Sequence, residues 1–301
     1  MEAIIITDYK TVSKTFRFIK EAIYKINGDF CFIVVDNSQM HEAFSWLINN
    51  RIEFSAKKVG KVSIFRFQFL NHPVVVVDSP SNCGYAGGNN LGVKVCDSLF
   101  NVNYYIFSNN DIFFKDKLSL NSFSNIFKKH PDYGIIGTRV LNKDGQNQNP
   151  RKEMSFASQT FLWDFNNLLF HGRLNRYVWN LDQHVNESKE TGWVSGSFMV
   201  VRKKAFNLVN GFDTANFLYC EEMILSEKMR LKGFKTFYDN DITLIHLHRG
   251  SLPNRKQRFW NHQSKIYFYR HYKNVSNFNI KFSDFMFKII DFIYRLKHKE
   301  N

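Results

Sequence analysis

The chain has 301 residues, 44% of them hydrophobic, enough for one large α/β domain with an appendage or for two small domains. Lys and Arg outnumber Asp and Glu by 41 to 27, a formal net charge of +14, which suits an anionic ligand, an acidic membrane surface or nucleic acid. The four cysteines, Cys31, Cys83, Cys96 and Cys220, lack zinc-ligand spacing and argue against a disulfide framework, and no apolar run reaches the ~18 residues of a spanning helix.

The start, Met1-Glu2-Ala3-Ile4, has neither a basic region nor an apolar core of a signal peptide, so a reducing, cytoplasmic setting is expected. Ala3–Thr7 reads as a short buried strand. Phe16, Ile19, Ile23 and Ile26 recur at helical spacing and predict a helix that Gly28 stops. Phe30–Val35 is a second strand, ending in Asp36-Asn37-Ser38. His41–Asn49 is helical, Lys61–Phe69 is a hairpin piece, and Val74–Val77 is a third strand ending in Asp78. Alternating strands and helices predict a parallel sheet with crossover helices, and such sheets bind ligands at the carboxyl ends of their strands. Asp8, Asp36 and Asp78 all fall at those ends.

Next comes Asn82-Cys83-Gly84-Tyr85-Ala86-Gly87-Gly88-Asn89-Asn90-Leu91-Gly92. It reads as a glycine-rich turn feeding a helix over Leu91–Leu99. Its N–H groups could meet a diphosphate, although the spacing matches neither the dinucleotide fingerprint nor a P-loop. An ordinary turn is the competing reading. Tyr104–Phe107 is a fourth strand, followed by Asn109-Asn110-Asp111, where a carboxylate and carboxamides could hold a hard cation. Ser122–Lys129 is helical, Gly134–Val140 is a strand and Asp144-Gly145 is a tight turn. Residues 146–190 read as a long loop with one helix, a length that points to function or disorder.

Residues 192–234 organise the rest. Gly192, Ser195, Gly196 and Ser197 permit close backbone approach, and Phe198–Val201 is a buried strand. Arg202-Lys203-Lys204 start a short helical piece and Asn210-Gly211 is a turn. Phe217-Leu218-Tyr219 then delivers Glu221 and Glu222 to the start of a helix that Gly233 stops. Two adjacent carboxylates resist joint ionisation, so one could accept a proton near neutral pH. Alternatively both are acids stabilised by the helix dipole. Lys235–Asp239 and Ile242–Ile245 are strands leading to His246-Leu247-His248-Arg249-Gly250-Ser251. From Pro253 the chain is basic, aromatic and helical, suited either to an anionic bilayer interface or to simple packing on the domain.

Taken together, these pieces resemble the family-2 glycosyltransferases of the GT-A fold, most nearly the bacterial rhamnosyltransferase-like, capsular and O-antigen group. The likeness runs in order from about Ile4 to Ser251 through Val35–Ser38, Asn82–Gly92, Asn109–Asp111, Asp144-Gly145, Gly192–Ser197, Gly211-Phe212-Asp213, Tyr219–Glu222 and His246–Ser251. The resemblance implies an α/β GT-A fold: a Rossmann-like, mostly parallel sheet flanked by helices. A glycosyltransferase domain would span 1–252, with a nucleotide-binding half to about 112 and an acceptor half beyond it. Residues 253–301 would form a C-terminal helical extension.

The implied activity is an inverting, metal-dependent hexosyl transfer from a UDP- or dTDP-linked sugar to a glycan or lipid-linked acceptor in cell-surface polysaccharide synthesis. The protein would be cytoplasmic, with the tail as a candidate contact to the inner face of the membrane. Asp36 matches the residue that reads the base, with Asp8 beside it. Asn82, Gly84, Gly88, Asn89 and Asn110 match nucleotide-sugar contacts. Asp111 matches the Mn²⁺ or Mg²⁺ ligand, which His246 or His248 would complete. Glu221 and Glu222 occupy the place of the catalytic pair, with Glu222 as base. Such a transfer needs one base and positive charge on the departing diphosphate, and no separate nucleophile.

Three positions depart from the family pattern: Asn109 replaces the first Asp of Asp-x-Asp, Glu222 replaces Asp, and Ile224 replaces a downstream acid. The first leaves room for a non-catalytic sugar-nucleotide-binding protein as an alternative. A nucleic-acid-binding role, prompted by the charge, is opposed by the strand-end carboxylates, which would repel phosphate without a metal.

Overall fold

A computed structural model of the chain describes residues 1–60, 62–170, 185–247 and 254–298. Its centre is a mostly parallel sheet. The strands are β1 (Glu2–Asp8), β2 (Ile26–Asn27), β3 (Phe30–Asp36), β4 (Ser55–Val59), β5 (Val62–Phe69), β6 (His72–Asp78), β7 (Tyr104–Ser108) and β8 (Ile112–Phe114), then β9 (Leu118–Ser119), β10 (Tyr133–Asn142), β11 (Lys189–Thr191), β12 (Phe198–Arg202) and β13 (Lys235–His246). The main sheet runs β11-β13-β10-β12-β7-β1-β3-β6-β5-β4, with β8 also on β13, while β2 and β9 form a separate pair. Strands β7, β1, β3 and β6 are mutually parallel, and β12 inserts antiparallel between β7 and β10.

The β-branched strand runs are buried on both faces, as parallel strands under crossover helices must be. Alternate residues therefore feed two cores. Ile4, Ile6, Phe32, Val34, Val74 and Val76 face helices α1 (Val12–Lys25), α2 (Glu42–Asn49) and α4 (Leu120–Lys129). Ala3, Ile5, Ile33, Val35, Val75 and Val77 face α3 (Gly84–Leu99), α6 (Lys203–Leu208) and α7 (Glu221–Leu231). Cys31 and Cys96 lie buried in this second core, and all four cysteines are free. The parallel register sets Asp8, Asp36 and Asp78 side by side.

Three expectations need correction. The glycine-rich run is not a turn: α3 begins at Gly84, and the glycines are its first turns. Their missing Cβ atoms let the helix lie against β1, since a Cβ on Gly88 would come within 2.5 Å of Thr7 and one on Gly92 within 2.7 Å of Ile5. Lys235–Asp239 and Ile242–Ile245 are one strand, interrupted by a register shift where Arg139 pairs with Thr243. Within 146–190, the one expected helix is present as a π-helical turn (Ser158–Leu162) running into α5 (Trp163–Phe170), and β11 adds a strand where loop was expected; residues 171–184 of this stretch lie outside the described residues.

The tail forms two helices, α8 (Arg255–Tyr272) and α9 (Asn277–His298). Asn254 and Gln257 build a capping box at the start of α8. Helix α8 packs into the domain: Phe268 and Tyr269 join Cys220, Met223 and Ile224 in a third apolar cluster. Ile224, where the family carries an acid, is thus a core contact. The tail accordingly packs on the domain, as one of its two sequence readings had it, though α9 buries only one side. No helix among the described residues is long and apolar enough to cross a membrane.

Candidate active site

The carboxyl ends of β1, β3 and β6 place three acids in a row, yet two of them are fully engaged. Buried Asp8 accepts from the Thr11 N–H at 3.1 Å, from the Thr11 and Thr15 hydroxyls, and from Asn110 Nδ2 at 3.0 Å. Asn110 also donates to both hydroxyl oxygens, at 2.7 Å each. Asp8 and Asn110 therefore lock the exit of β7 to the start of α1. Asp36 accepts from the Ser38 and Ala43 N–H groups at 2.9 and 2.8 Å and fixes the entry to α2. Asp78 pairs with exposed His41 at 2.7 Å.

The expected nucleotide-sugar contacts divide in the same way. Asn82 Oδ1 accepts from the Gly84 N–H at 3.1 Å and from Asn37 Nδ2 at 3.0 Å. Asn37 in turn accepts from the Cys83 N–H, so this corner is a closed network around the helix start. Gly84 sits at φ +69°, and a Cβ there would meet the Phe217 carbonyl oxygen at 2.1 Å. Gly88 faces Thr7, and buried Asn89 donates to the Tyr85 carbonyl. Gly88 and Asn89 thus lie within the helix–sheet packing rather than at an open edge.

Past β7, Asn109 donates its N–H to the Ser197 carbonyl, tying this loop to the start of β12. Asp111 turns one oxygen to His246 Nε2 at 3.1 Å, while His246 Nδ1 meets Gln148 Oε1 at 3.0 Å. A carboxylate oxygen and an imidazole nitrogen so arranged fit a divalent cation that takes its remaining ligands from phosphate and water. His248, the other candidate ligand, lies outside the described residues with Arg249, Gly250 and Ser251. Among the described residues no cluster of three His, Cys, Asp or Glu side chains exists.

The two glutamates are held differently. Tyr219 and Cys220, directly before them, both take left-handed backbone conformations, φ +76° and +65°. Such geometry in non-glycine residues is costly and persists only where the surroundings impose it. The surroundings here are Asp213, which accepts from Tyr267 and Tyr272 of α8, and Ser264 of α8, which donates to the Leu218 carbonyl. Asn90 completes the clamp by exchanging hydrogen bonds with the Phe212 backbone beside Gly211.

Glu221 is buried with Oε1 unpaired, and burial followed by the Glu222 charge pushes its carboxyl up to about 8. Burial also raises Glu222, opposed by its own and the Gly196 N–H groups and by Arg151. A helix dipole acting on exposed acids would lower both instead. Desolvation wins, and the pair holds a proton near neutrality, with Glu222 the member that faces a cation.

Both glutamates line a cavity of about 1130 Å³ that also reaches Asn109 and His246. Its walls include residues the sequence reading did not single out. Half-buried Arg151, pushed down to about 10 by burial with Glu222 opposing, lies over Trp193 with its guanidinium 5.4 Å from the ring centre. Tyr85 sits beside both glutamates, and its hydroxyl donates to the Gly196 carbonyl at 2.8 Å. His262 and Lys265 enter from α8 and Tyr294 from α9. Tyr85 and Arg151 lay in stretches without periodicity, and the α8 residues were legible only as part of a basic aromatic helix.

The doubly wound sheet, with its site at the carboxyl edge, is the GT-A fold of glycosyltransferases. A solved structure of GalNAc-T7 with UDP, GalNAc and Mn²⁺ matches it with a TM-score of 0.57 at 12% identity, over 91% of this chain and 49% of that one. No family model matches the chain. Sequence relatives are nonetheless named glycosyltransferases. The low-salt glycan biosynthesis hexosyltransferase Agl10 of Haloferax volcanii is 23% identical over 248 residues, 81% of this chain and 66% of that protein. The rhamnosyltransferase WbbL of Escherichia coli K12 is 43% identical over 54 residues, 18% of this chain and 20% of that protein. The chain is therefore a relative of GT-A glycosyltransferases, and it spans about two thirds of the longer match and a fifth of the shorter.

Proposed function

We propose that this chain transfers a sugar, with inversion, from a nucleotide diphosphate sugar to a hydroxyl of a glycan or lipid-linked acceptor. Glu222 is the base. The observation that carries this reading is the shared cavity, with His246 and Asn109 at one part of its wall and Glu221, Glu222 and Arg151 at another. A base poised by burial that shares a cavity with a candidate metal ligand suits in-line displacement of a diphosphate.

In this reading Asp111 and His246 would hold a divalent cation, Mn²⁺ or Mg²⁺, which would supply positive charge for the departing diphosphate. Glu222 takes the acceptor proton, Glu221 keeps its own proton and so leaves Glu222 the charge, and Arg151 orients Glu222. The donor carries uridine or deoxythymidine, the product belongs to cell-surface polysaccharide synthesis, and the protein works in the cytoplasm at the membrane face. Nucleic acid is not a partner.

Steady-state sugar transfer, measured beside donor binding by calorimetry, tests the assignment. Glu222→Gln is expected to keep donor affinity within a few-fold and to lower turnover by ~10²–10⁴-fold. Full turnover in that variant removes Glu222 as the base. Donor binding with no turnover in the parent toward any glycan or lipid-linked acceptor favours the non-catalytic alternative.

A further inference from the structure

Helix α9 has two unlike sides. Ile280, Ser283 and Ile290 are buried, and Ile290 and Tyr294 line the cavity. On the other side Phe278, Phe282, Phe285, Ile289, Phe292 and Leu296 are exposed, with Phe278 at 78% and Leu296 at 67%. Their spacing alternates four and three residues, so they fall on one stripe about 27 Å long at 1.5 Å per residue. Phe161 meets Phe282 at one edge. Six large apolar side chains along a single exposed helix face exceed the scattered apolar exposure of an ordinary surface.

Charge identifies the occupant. Lys281, Lys288 and Arg295 recur every seven residues and form one row beside the stripe. The acids of the helix are already partnered: Asp284 pairs with His262 at 2.8 Å, and Asp291 pairs with Arg258 at 3.1 Å, Arg255 at 3.4 Å and, from the row itself, Arg295 at 4.0 Å, which leaves Lys281 and Lys288 as the row's exposed charges. Neither a parallel nor an antiparallel pairing of two such helices brings a carboxylate to the basic row. In the antiparallel case the rows meet each other and repel. An anionic lipid surface satisfies both features at once, apolar chains below and phosphates at the level of the lysines.

We propose that the Phe278–Leu296 stripe of α9 lies in the interface of an anionic bilayer, with the catalytic cavity directly on the other side of the same helix. This deepens the function proposed above, on which the orientation argument rests: a lipid-linked acceptor would rise from the bilayer about one helix diameter, 10–12 Å, from the cavity. The contact is interfacial and leaves the helix in the plane of the membrane.

The test is cosedimentation of the full chain with phosphatidylcholine vesicles and with vesicles containing phosphatidylglycerol, at low and high salt. Analytical ultracentrifugation without lipid and donor binding accompany it. The parent is expected to bind phosphatidylglycerol vesicles more tightly than phosphatidylcholine vesicles, and to weaken with salt. Phe285→Ser with Phe292→Ser, both on the exposed face, should lower partitioning at least tenfold while melting temperature and donor binding hold. Lys281→Glu with Lys288→Glu should remove the preference for anionic lipid and serves as the second variant should the first fold poorly. Equal vesicle binding by the parent and both variants overturns the proposal. So does a parent that dimerises without lipid and that the serine variant makes monomeric. Vesicle binding needs no catalysis, so its loss with donor binding intact counts against the docking face alone. Absent donor binding with vesicle binding intact counts against the proposed function alone.

Discussion

Two sets of carboxylates stand at the carboxyl edge of this fold, and they are treated in opposite ways. At the β1–β3 edge, Asp8 and Asp36 are buried but saturated, each accepting from backbone N–H groups and, for Asp8, from hydroxyl and amide donors as well. At the start of α7, Glu221 is buried with one oxygen unpaired, and both glutamates are raised by burial. A carboxylate whose lone pairs are filled by its own loop fixes geometry. One that lacks donors stays responsive to protons. Position at a strand end or helix start therefore does not assign the role; the donors already in place do.

Asp111 falls between these two cases, and it offers the sharpest way to break the contrast. One of its oxygens lies 3.1 Å from His246 Nε2, a side chain that can itself ligate a metal. Asp111→Ala is expected to abolish any cation-dependent rise in melting temperature with a UDP- or dTDP-sugar, because a hard cation loses its oxygen ligand. An unchanged response to Mn²⁺ would place Asp111 with the structural acids. Asp8→Ala is the counterpart. It leaves Thr11, Thr15 and Asn110 without their shared acceptor inside the fold, and roughly 2–4 kcal/mol of stability is expected to go. Urea unfolding measures it, and a loss under ~1 kcal/mol would refute the latch.

Glu221→Gln tests the other side through pH. In the folded chain Glu221 keeps its proton up to about 8, whereas in the unfolded chain it releases it near the ordinary carboxylate value of about 4.3. Between those values the folded state binds more protons, so stability falls as pH rises through the window and levels off above it. The glutamine variant has no such proton. Urea midpoints at pH 5 and pH 8 should therefore show the parent losing roughly 1–3 kcal/mol relative to the variant. Parallel pH profiles would mean that Glu221 is not desolvated.

The sequence was legible where one element decides its own structure. Runs such as Ile4-Ile5-Ile6 and Val74–Val77 announce buried strands, and the acids that end them do line up. The glycine run misled because glycine disfavours helices locally, yet its missing side chains are what let α3 approach Thr7 and Ile5. The glutamate pair was visible as a motif, and its adjacent charges already pointed to a proton held near neutrality; that burial is the larger cause was not visible, since burial depends on how the rest of the chain packs. Arg151 had no signal at all: no periodicity surrounds it, and only the pairing of Arg151 with Trp193 brings it opposite Glu222. Roles of Asp8 and Asn110 read from the family likeness met a local network that single positions could not reveal.

Tyr85 links the two regions and carries the smallest expected effect. It belongs to the first turn of α3, on the side of the saturated acids, but its hydroxyl donates across to the Gly196 carbonyl beside the glutamates. Burial and both glutamate charges raise its phenol well above the ordinary value, so it remains a donor at any physiological pH. Tyr85→Phe removes that one hydrogen bond and leaves the ring against Phe212, 5.8 Å between centroids. The cost to stability should be about 1 kcal/mol, the net value of one neutral hydrogen bond. If the Gly196 loop is what sets Glu222 opposite Arg151, turnover should fall a further few-fold while donor affinity stays constant. The pH profile of turnover should also shift, because the Gly196 N–H is one of the groups that holds Glu222 down. A stability loss with turnover and pH profile unchanged would make Tyr85 a packing residue only. The saturated and unsaturated edges would then be independent of each other, rather than joined through a single phenol.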